Sequence, residues 1–166
     1  KANDLHQIPF HDLIEEAGVK TVVNMADNKE ELEKYRNSDD FDSPYYANLY
    51  DNDKVLALDM KIAFGTDEFR NNVIKGLEFM IKNEGPYLIH CTEGKDRAGF
   101  MGVLLGALMD ADKEAIVEDY MQSYVNYYGV EKGTEKYNII AEDVTEMLKV
   151  MTGGKDPVNA DLSEAA

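Results

Sequence analysis

Cys91 and Arg97 stand six residues apart in the stretch YLIHCTEGKDRAGF, residues 87 to 100. Cys91 is the only cysteine of the chain, and Arg97 is one of three arginines. A cysteine acts as a nucleophile when it is a thiolate. A helix N-terminus or a neighbouring arginine lowers its pKa from about 8.5 to roughly 3.5–7.5. An arginine can grip two oxygens of one phosphoryl group in a planar fork. Thr92, Glu93, Gly94, Lys95 and Asp96 fill the interval, and a loop this short can turn its backbone N–H groups inward as an anion nest. Gly94 fits where such a loop needs positive φ or close approach to a ligand. His90 can orient or electrostatically support the cysteine through a backbone contact. Gly99 lets the start of a following helix pack closely on a sheet. Together these residues predict a pocket for a phosphoryl dianion and in-line attack of sulfur on phosphorus. A phosphocysteine intermediate would form and then be hydrolysed. Arg97 and the backbone N–H groups supply the charge stabilisation, so this reading needs no metal and no cofactor.

Blander readings exist for each residue. A lone cysteine is commonly a buried apolar thiol. Lys95 reads equally as a solvated surface charge. Asp96 reads as the N-cap of the following helix, a role that can coexist with chemistry.

The surrounding elements must place this loop. A helix is expected from Pro9 to Ala17 and a buried β-branched strand in VKTVVNM, 19 to 25. A charged helix opened by Asn28 follows, to Arg36. The polar stretch 37 to 53 reads as a long loop, functional or mobile. KVLALDM, 54 to 60, is a second strand. Thr66 caps a helix to Asn83, with Phe69, Val73, Ile74, Leu77, Met80 and Ile81 as its apolar stripe. EGPYLIH, 84 to 90, gives a turn and a third strand. A helix from Arg97 to Met109 buries Phe100, Val103, Leu104, Ala107 and Leu108. Two more run from Asp112 to Tyr127 and from Thr134 to Met151. The tyrosine-rich 120 to 129 is a half-buried helix surface or a stacking surface for a substrate ring. The order of elements predicts an α/β sheet, mostly parallel, with helices on both faces and a helical C-terminal part. The Cys91 loop then lies outside the carboxyl end of a strand, where open sheets bind ligands.

The chain of 166 residues reads as one domain over 1–151, with a tail at 152–166. Its net charge of −16 argues against a general nucleic-acid binder and against adsorption to anionic membranes. The apolar run Ala98 to Met109 is far short of the roughly 20 residues that span a bilayer. His6, His11 and His90 do not cluster in a zinc spacing. The chain begins at Lys1, and Asp161 resembles a helix cap shortly before the end. Both predict a working protein that is longer, or trimmed there. No compartment is read from the sequence.

His-Cys-x-x-Gly-x-x-Arg, here His90, Cys91, Gly94 and Arg97, resembles the signature of the cysteine-dependent protein tyrosine phosphatase superfamily. The loop is most similar to the bacterial tyrosine and dual-specificity branch, which reads Cys-x-x-Gly-Lys-Asp-Arg. It is also similar to myotubularin lipid phosphatases, in the acids at Glu93 and Asp96. The resemblance implies a three-layer phosphatase-like fold and a phosphorylated protein or small phosphate ester as substrate. A lysine at the place of Lys95 is associated with phosphoinositide headgroups in related loops. The leaving group needs a general acid. Most of the superfamily draws it from a loop well upstream, which points to Asp59. The most similar branches point to the aspartate before the arginine, Asp96, which is favoured here over Asp59 and over Asp67. Two departures stand out. The bacterial branch carries Asp-Leu-Arg after its first strand, where this chain has Asn24-Met25-Ala26. The serine or threonine usual after the arginine is replaced by Ala98, which predicts slower hydrolysis of the intermediate. A phosphatase-like module that binds phosphorylated ligands with weak turnover is the rival reading. Arsenate reduction is poor, because no second cysteine exists to resolve the intermediate.

Overall fold

The computed structural model describes residues 10–153. His6, Pro9 and the tail from Gly154 onward, with Asp161, lie outside them. The chain forms two compact units. One takes the residues up to Lys61 together with Arg70–His90, and the other takes Ile62–Phe69 and the chain from Cys91 onward.

The first unit holds the sheet. Its strands are β1 (Thr21–Asn24), β2 (Val55–Ala57) and β3 (Tyr87–His90), in the spatial order β2-β1-β3 and parallel throughout. All four residues of β1 are buried. This matches a central strand of β-branched residues with neighbours on both sides. Each strand is shorter than its apolar run, because the residues at the run ends hydrogen-bond outside the ladder. Lys20 donates its N–H to the Pro86 carbonyl and Met60 donates to Met25. The register pairs Val22 with Val55 and with Leu88, and Asn24 with Ala57 and with His90.

Around the sheet residues of this unit lie α1 (Phe10–Glu16), α2 (Lys29–Arg36) and α3 (Pro44–Asp51). Asn28 opens α2 with a full capping box: its side chain accepts from the Glu31 N–H, and the Glu31 carboxylate accepts from the Asn28 N–H. α3 corrects the expectation of a loop over 37 to 53. Pro44 sits at the helix start, where its missing N–H costs nothing. Tyr45, Tyr46 and Leu49 then fall on one helical face and pack against buried Ile14, Val19 and Val22. The Tyr45 hydroxyl donates to the Val19 carbonyl at 2.9 Å.

α4 (Asp67–Lys82) begins in the second unit and ends in the first. Its expected stripe is only partly buried. Phe69 and Val73 are buried, but Ile74 is 45% exposed and Ile81 84%. The second unit continues with α5 (Arg97–Leu108), α6 (Lys113–Tyr128) and α7 (Glu135–Met151), which pack on one another. Phe64, Phe69 and Phe100 form an aromatic cluster with centroids 5.0–5.4 Å apart. On α5, Phe100, Val103, Leu104 and Ala107 are buried as expected. Leu108 is 41% exposed, while Met101 is wholly buried.

The close approach of α5 and α6 comes from glycines. A Cβ at Gly99 would stand 2.8 Å from the Tyr120 ring, and one at Gly106 would stand 2.9 Å from Cγ1 of Ile116. Gly99 thus makes room for a buried tyrosine of α6, which corrects the expectation that it serves close packing on the sheet. A Cβ at Gly102 would meet only Asp119, at an ordinary 3.8 Å. Gly106→Ala is therefore expected to cost about 1–3 kcal/mol by overpacking. Gly102→Ala is expected to gain roughly 0.4–1 kcal/mol by stiffening the unfolded chain. Urea unfolding of the two variants beside the parent measures both, and equal shifts would contradict the packing described.

Candidate active site

Asn24 and His90 are the last residues of β1 and β3, and they face each other in the register. The order β2-β1-β3 places the topological switch point between these two strands, where parallel sheets form a ligand crevice. The Asn24 side chain builds the turn leaving β1. Its Oδ1 accepts from the N–H groups of Ala26 (2.9 Å) and Asp27 (3.1 Å), and its Nδ2 donates to Asp27 Oδ2 at 2.8 Å. Such side-chain-to-backbone bonds are the signature of an Asx turn. Tyr46 also hydrogen-bonds Asn24; burial nevertheless pushes the Tyr46 hydroxyl up to about 12, with Asp27 adding to the rise. The Met25 N–H donates to the His90 carbonyl at 2.9 Å, which ties the ends of the two strands together.

β3 delivers its chain directly into Cys91. The thiol is buried, 9% exposed. Gly94 has φ 76°, in the left-handed region that the spacing predicted for it. Asp96 ends the loop as the N-cap residue of α5. Its carboxylate makes no capping bond, and its carbonyl accepts from the Phe100 N–H. The first N–H groups of α5 lack partners within the helix and carry its positive end toward the loop. Arg97, the first residue of α5, folds back so that Nη2 donates to Thr92 Oγ1 at 2.9 Å. The loop is thus closed from residue 92 to residue 97.

The charged loop residues pair with one another. Lys95 Nζ lies 2.7 Å from Asp96 Oδ2 and 3.4 Å from Glu93 Oε2. The hydrogen bond to Asp96 is the main reason that Lys95 holds its proton well above the usual lysine range. Glu93 accepts from the Tyr128 hydroxyl of α6 at 2.8 Å. That bond first, and Lys95 second, hold its carboxyl below the ordinary range. In return, the Tyr128 phenol is raised by Glu93. Lys95 is therefore a cation engaged by two carboxylates, not a freely solvated one. Tyr120 and Tyr124 continue the tyrosine row from Tyr128 along α6.

Asp59 lies in the first unit, exposed, with φ 46° and its N–H donating to the Asp27 carbonyl at 3.1 Å. It shapes the turn after β2; aspartate is among the few residues that tolerate this backbone region. Asp67 stands in the first turn of α4, where its charge suits the helix dipole. Ala98 and Gly99 occupy the first turn of α5. Asp143 of α7 escaped the sequence reading. It lines a cavity of about 260 Å³ in the second unit together with Asp96, Tyr120 and Glu146. Burial, and then the charge of Asp96, raise its carboxyl. The Tyr128–Glu93 bond was likewise not foreseen, since residues 35 apart carry no local spacing signal.

The model of a tyrosine phosphatase family matches residues 3–153. The triple specificity protein phosphatase PtpB of Mycobacterium tuberculosis is 25% identical over 130 residues. That match takes in 72% of this chain and 43% of the relative, so the chain spans less than half the length of the curated relative.

The tether between α6 and the loop has a titration signature. A hydrogen bond to the carboxylate favours the charged form. Tyr128→Phe is therefore expected to move the Glu93 carboxyl back up toward its ordinary value, and Lys95→Met to do so less. Any stability the tether provides is present above the usual glutamate range and lost as pH falls through the lowered Glu93 value. Side-chain carbon NMR titration reads the shift, and an unchanged Glu93 in Tyr128→Phe would refute the bond.

Proposed function

Because the chain belongs to the tyrosine phosphatase family, we propose that it hydrolyses phosphate monoesters without a metal, through a phosphocysteine, as a tyrosine or dual-specificity protein phosphatase. The observation that carries the reading is the loop closed by Arg97 on Thr92, with Cys91 at its start and Gly94 in the left-handed region. Cys91 sulfur attacks phosphorus in line; the S–P bond forms as the ester P–O bond breaks. Arg97 and the loop N–H groups hold the phosphoryl oxygens, with Thr92, Glu93, Gly94 and Lys95 shaping the cradle. His90 orients the cysteine from the strand end. Asp96 gives its proton to the leaving oxygen. In the second step Asp96 takes a proton from water, the water oxygen bonds to phosphorus, and the S–P bond breaks. Phosphate and the thiolate are released.

Asp96 is preferred to Asp59 as the acid because it belongs to the same loop as the nucleophile. The engagement of Lys95 by Glu93 and Asp96 favours phosphoprotein over phosphoinositide substrates. The name of the relative, triple specificity, supports testing more than one substrate class. Ala98 favours a second reading, a module that captures phosphorylated ligands with little turnover.

Hydrolysis of p-nitrophenyl phosphate in EDTA, abolished in Cys91→Ser, is the expected result. Tungstate binding without turnover would leave the capture module instead. Asp96→Asn is expected to lose about 10²–10⁴-fold on poor leaving groups and less on p-nitrophenyl phosphate. Asp59→Asn with that loss, in place of Asp96→Asn, would reassign the acid. Restoring a hydroxyl by Ala98→Thr is expected to speed breakdown of the intermediate about tenfold, the equivalent of one hydrogen bond of about 1.4 kcal/mol. Burst kinetics separates that step from the first.

A further inference from the structure

Asp96 leaves a common bond unmade. It stands at the N-cap of α5, yet its carboxylate makes no bond to the helix. Two other neighbours meet it within the second unit. One is Lys95, whose Nζ lies 2.7 Å from Oδ2. The other is the cavity of about 260 Å³ that Asp96 lines together with Asp143 and Glu146 of α7 and Tyr120 of α6. Phe64 and Met147 add apolar wall, which keeps the local dielectric low and lets charges act on one another.

These neighbours pull in opposite directions. An ammonium favours the ionised form of a carboxyl, and a second carboxylate favours the protonated form. A general acid must carry its proton when the substrate arrives. Lys95 alone would therefore work against Asp96 in that role, and Asp143 supplies the opposing charge. Burial raises the Asp143 carboxyl first, the charge of Asp96 second and Glu142 third, while Lys95 lowers it. Coupling of this kind is mutual. Burial and the Tyr124 hydroxyl raise the Tyr120 phenol, and Asp143 and Asp96 both add to the rise. The two carboxylates thus act on one point of the cavity wall. Glu146 differs, because Lys149 engages its carboxylate at 2.6 Å. The cation that acts on Asp143 is Lys95, which Asp96 and Glu93 already engage.

We propose that Asp143 is a positioning residue for the acid step: its charge holds the proton on Asp96, against Lys95, until the leaving oxygen takes it. The inference rests on the phosphatase reading above and adds a second carboxylate to it. Two carboxylates in one cavity lose their protons in two steps, and the second proton is held by the charge that the first has left. That second proton is the one transferred. The O–H bond of Asp96 breaks as the leaving oxygen gains the proton, and Asp96 regains a proton from the water that hydrolyses the phosphocysteine.

The test is the pH dependence of kcat/KM on phenyl phosphate, whose leaving group is poor. An acid must be protonated to act, so the rate falls as pH rises through its titration. The substrate's own ionisation is common to all variants and cancels in the comparison. Asp143→Asn is expected to move the falling limb to lower pH by about half a unit or more, so that its deficit grows with pH. Asp143→Glu keeps the charge and is expected to keep the limb where the parent has it. Glu146→Gln is expected to leave it there too. Asp143 and Glu146 are both exposed, so neither substitution puts folding at stake. In an Asp96→Asn background, Asp143→Asn is expected to change nothing further.

An unmoved limb, or a loss that is the same at every pH, would overturn the proposal. An equal shift in Glu146→Gln would also overturn it, because the overall charge of −16 would then be the source. A shift that persists without Asp96 would do the same. In each of these cases, activity on p-nitrophenyl phosphate that Cys91→Ser abolishes would leave the phosphatase reading intact. A parent inactive on p-nitrophenyl phosphate would refute that reading, and this inference with it.

Discussion

The parallel pairing of β1 with β3 is the constraint on which the functional parts of the chain depend. Both strands are four residues long, and the register brings their last residues level. A slip of one residue would turn every side chain of β1 to the other face. Asn24 and the turn that it builds would then no longer stand level with His90. The buried Thr21 specifies the register, because its hydroxyl finds the Glu84 carbonyl ahead of β3 only in this pairing. Short strands suffice here because each end is tied by bonds outside the ladder, such as that from Met25 to His90.

The second organising device is electrostatic and lies in the loop itself. A chain with an excess of negative charge must still hold an anion in one place. On the proposed reading it would do so with loop N–H dipoles and one guanidinium, whose position is set by Thr92. Lys95 does not add a free positive charge, since Asp96 and Glu93 engage it. Its contribution is shape: two carboxylates and one ammonium form a bridge across the loop, anchored by Tyr128 on α6. Rigid loops of this kind pay little reorganisation at the moment of reaction.

The sequence disclosed the loop and the strands with little loss, and for physical reasons. Cys91, Gly94 and Arg97 are residue types whose chemistry is local, so their spacing carried the message. VVN and YLIH are short β-branched or apolar runs between turn residues. α3 was hidden because asparagines and aspartates dominate its neighbourhood, although Pro44 and the positions of Tyr45, Tyr46 and Leu49 signal a helix. Ile74, Ile81 and Leu108 follow helical spacing yet are exposed, since periodicity tells which face is apolar and not how far burial reaches around it. Asn24 read only as a missing aspartate, although Asn-x-x-Asp already contained the turn it makes with Asp27. Asp143 was not legible at all, and Tyr128 read only as part of a tyrosine-rich helix surface, not as the partner of Glu93. Their partners lie tens of residues away in the chain, and only tertiary packing brings them to the loop.

The self-pairing of the loop bears on how a catalytic cycle ends. Glu93, Lys95, Asp96 and Arg97 sum to no net side-chain charge, two carboxylates against two cations. A cradle with a surplus of cations would retain free phosphate and slow its own turnover. On the proposed reaction the anion would meet backbone dipoles and Arg97 rather than a surplus of free cations. On that reading, the ion pairs that stiffen the loop would also spare it the surplus charge that holds a product back.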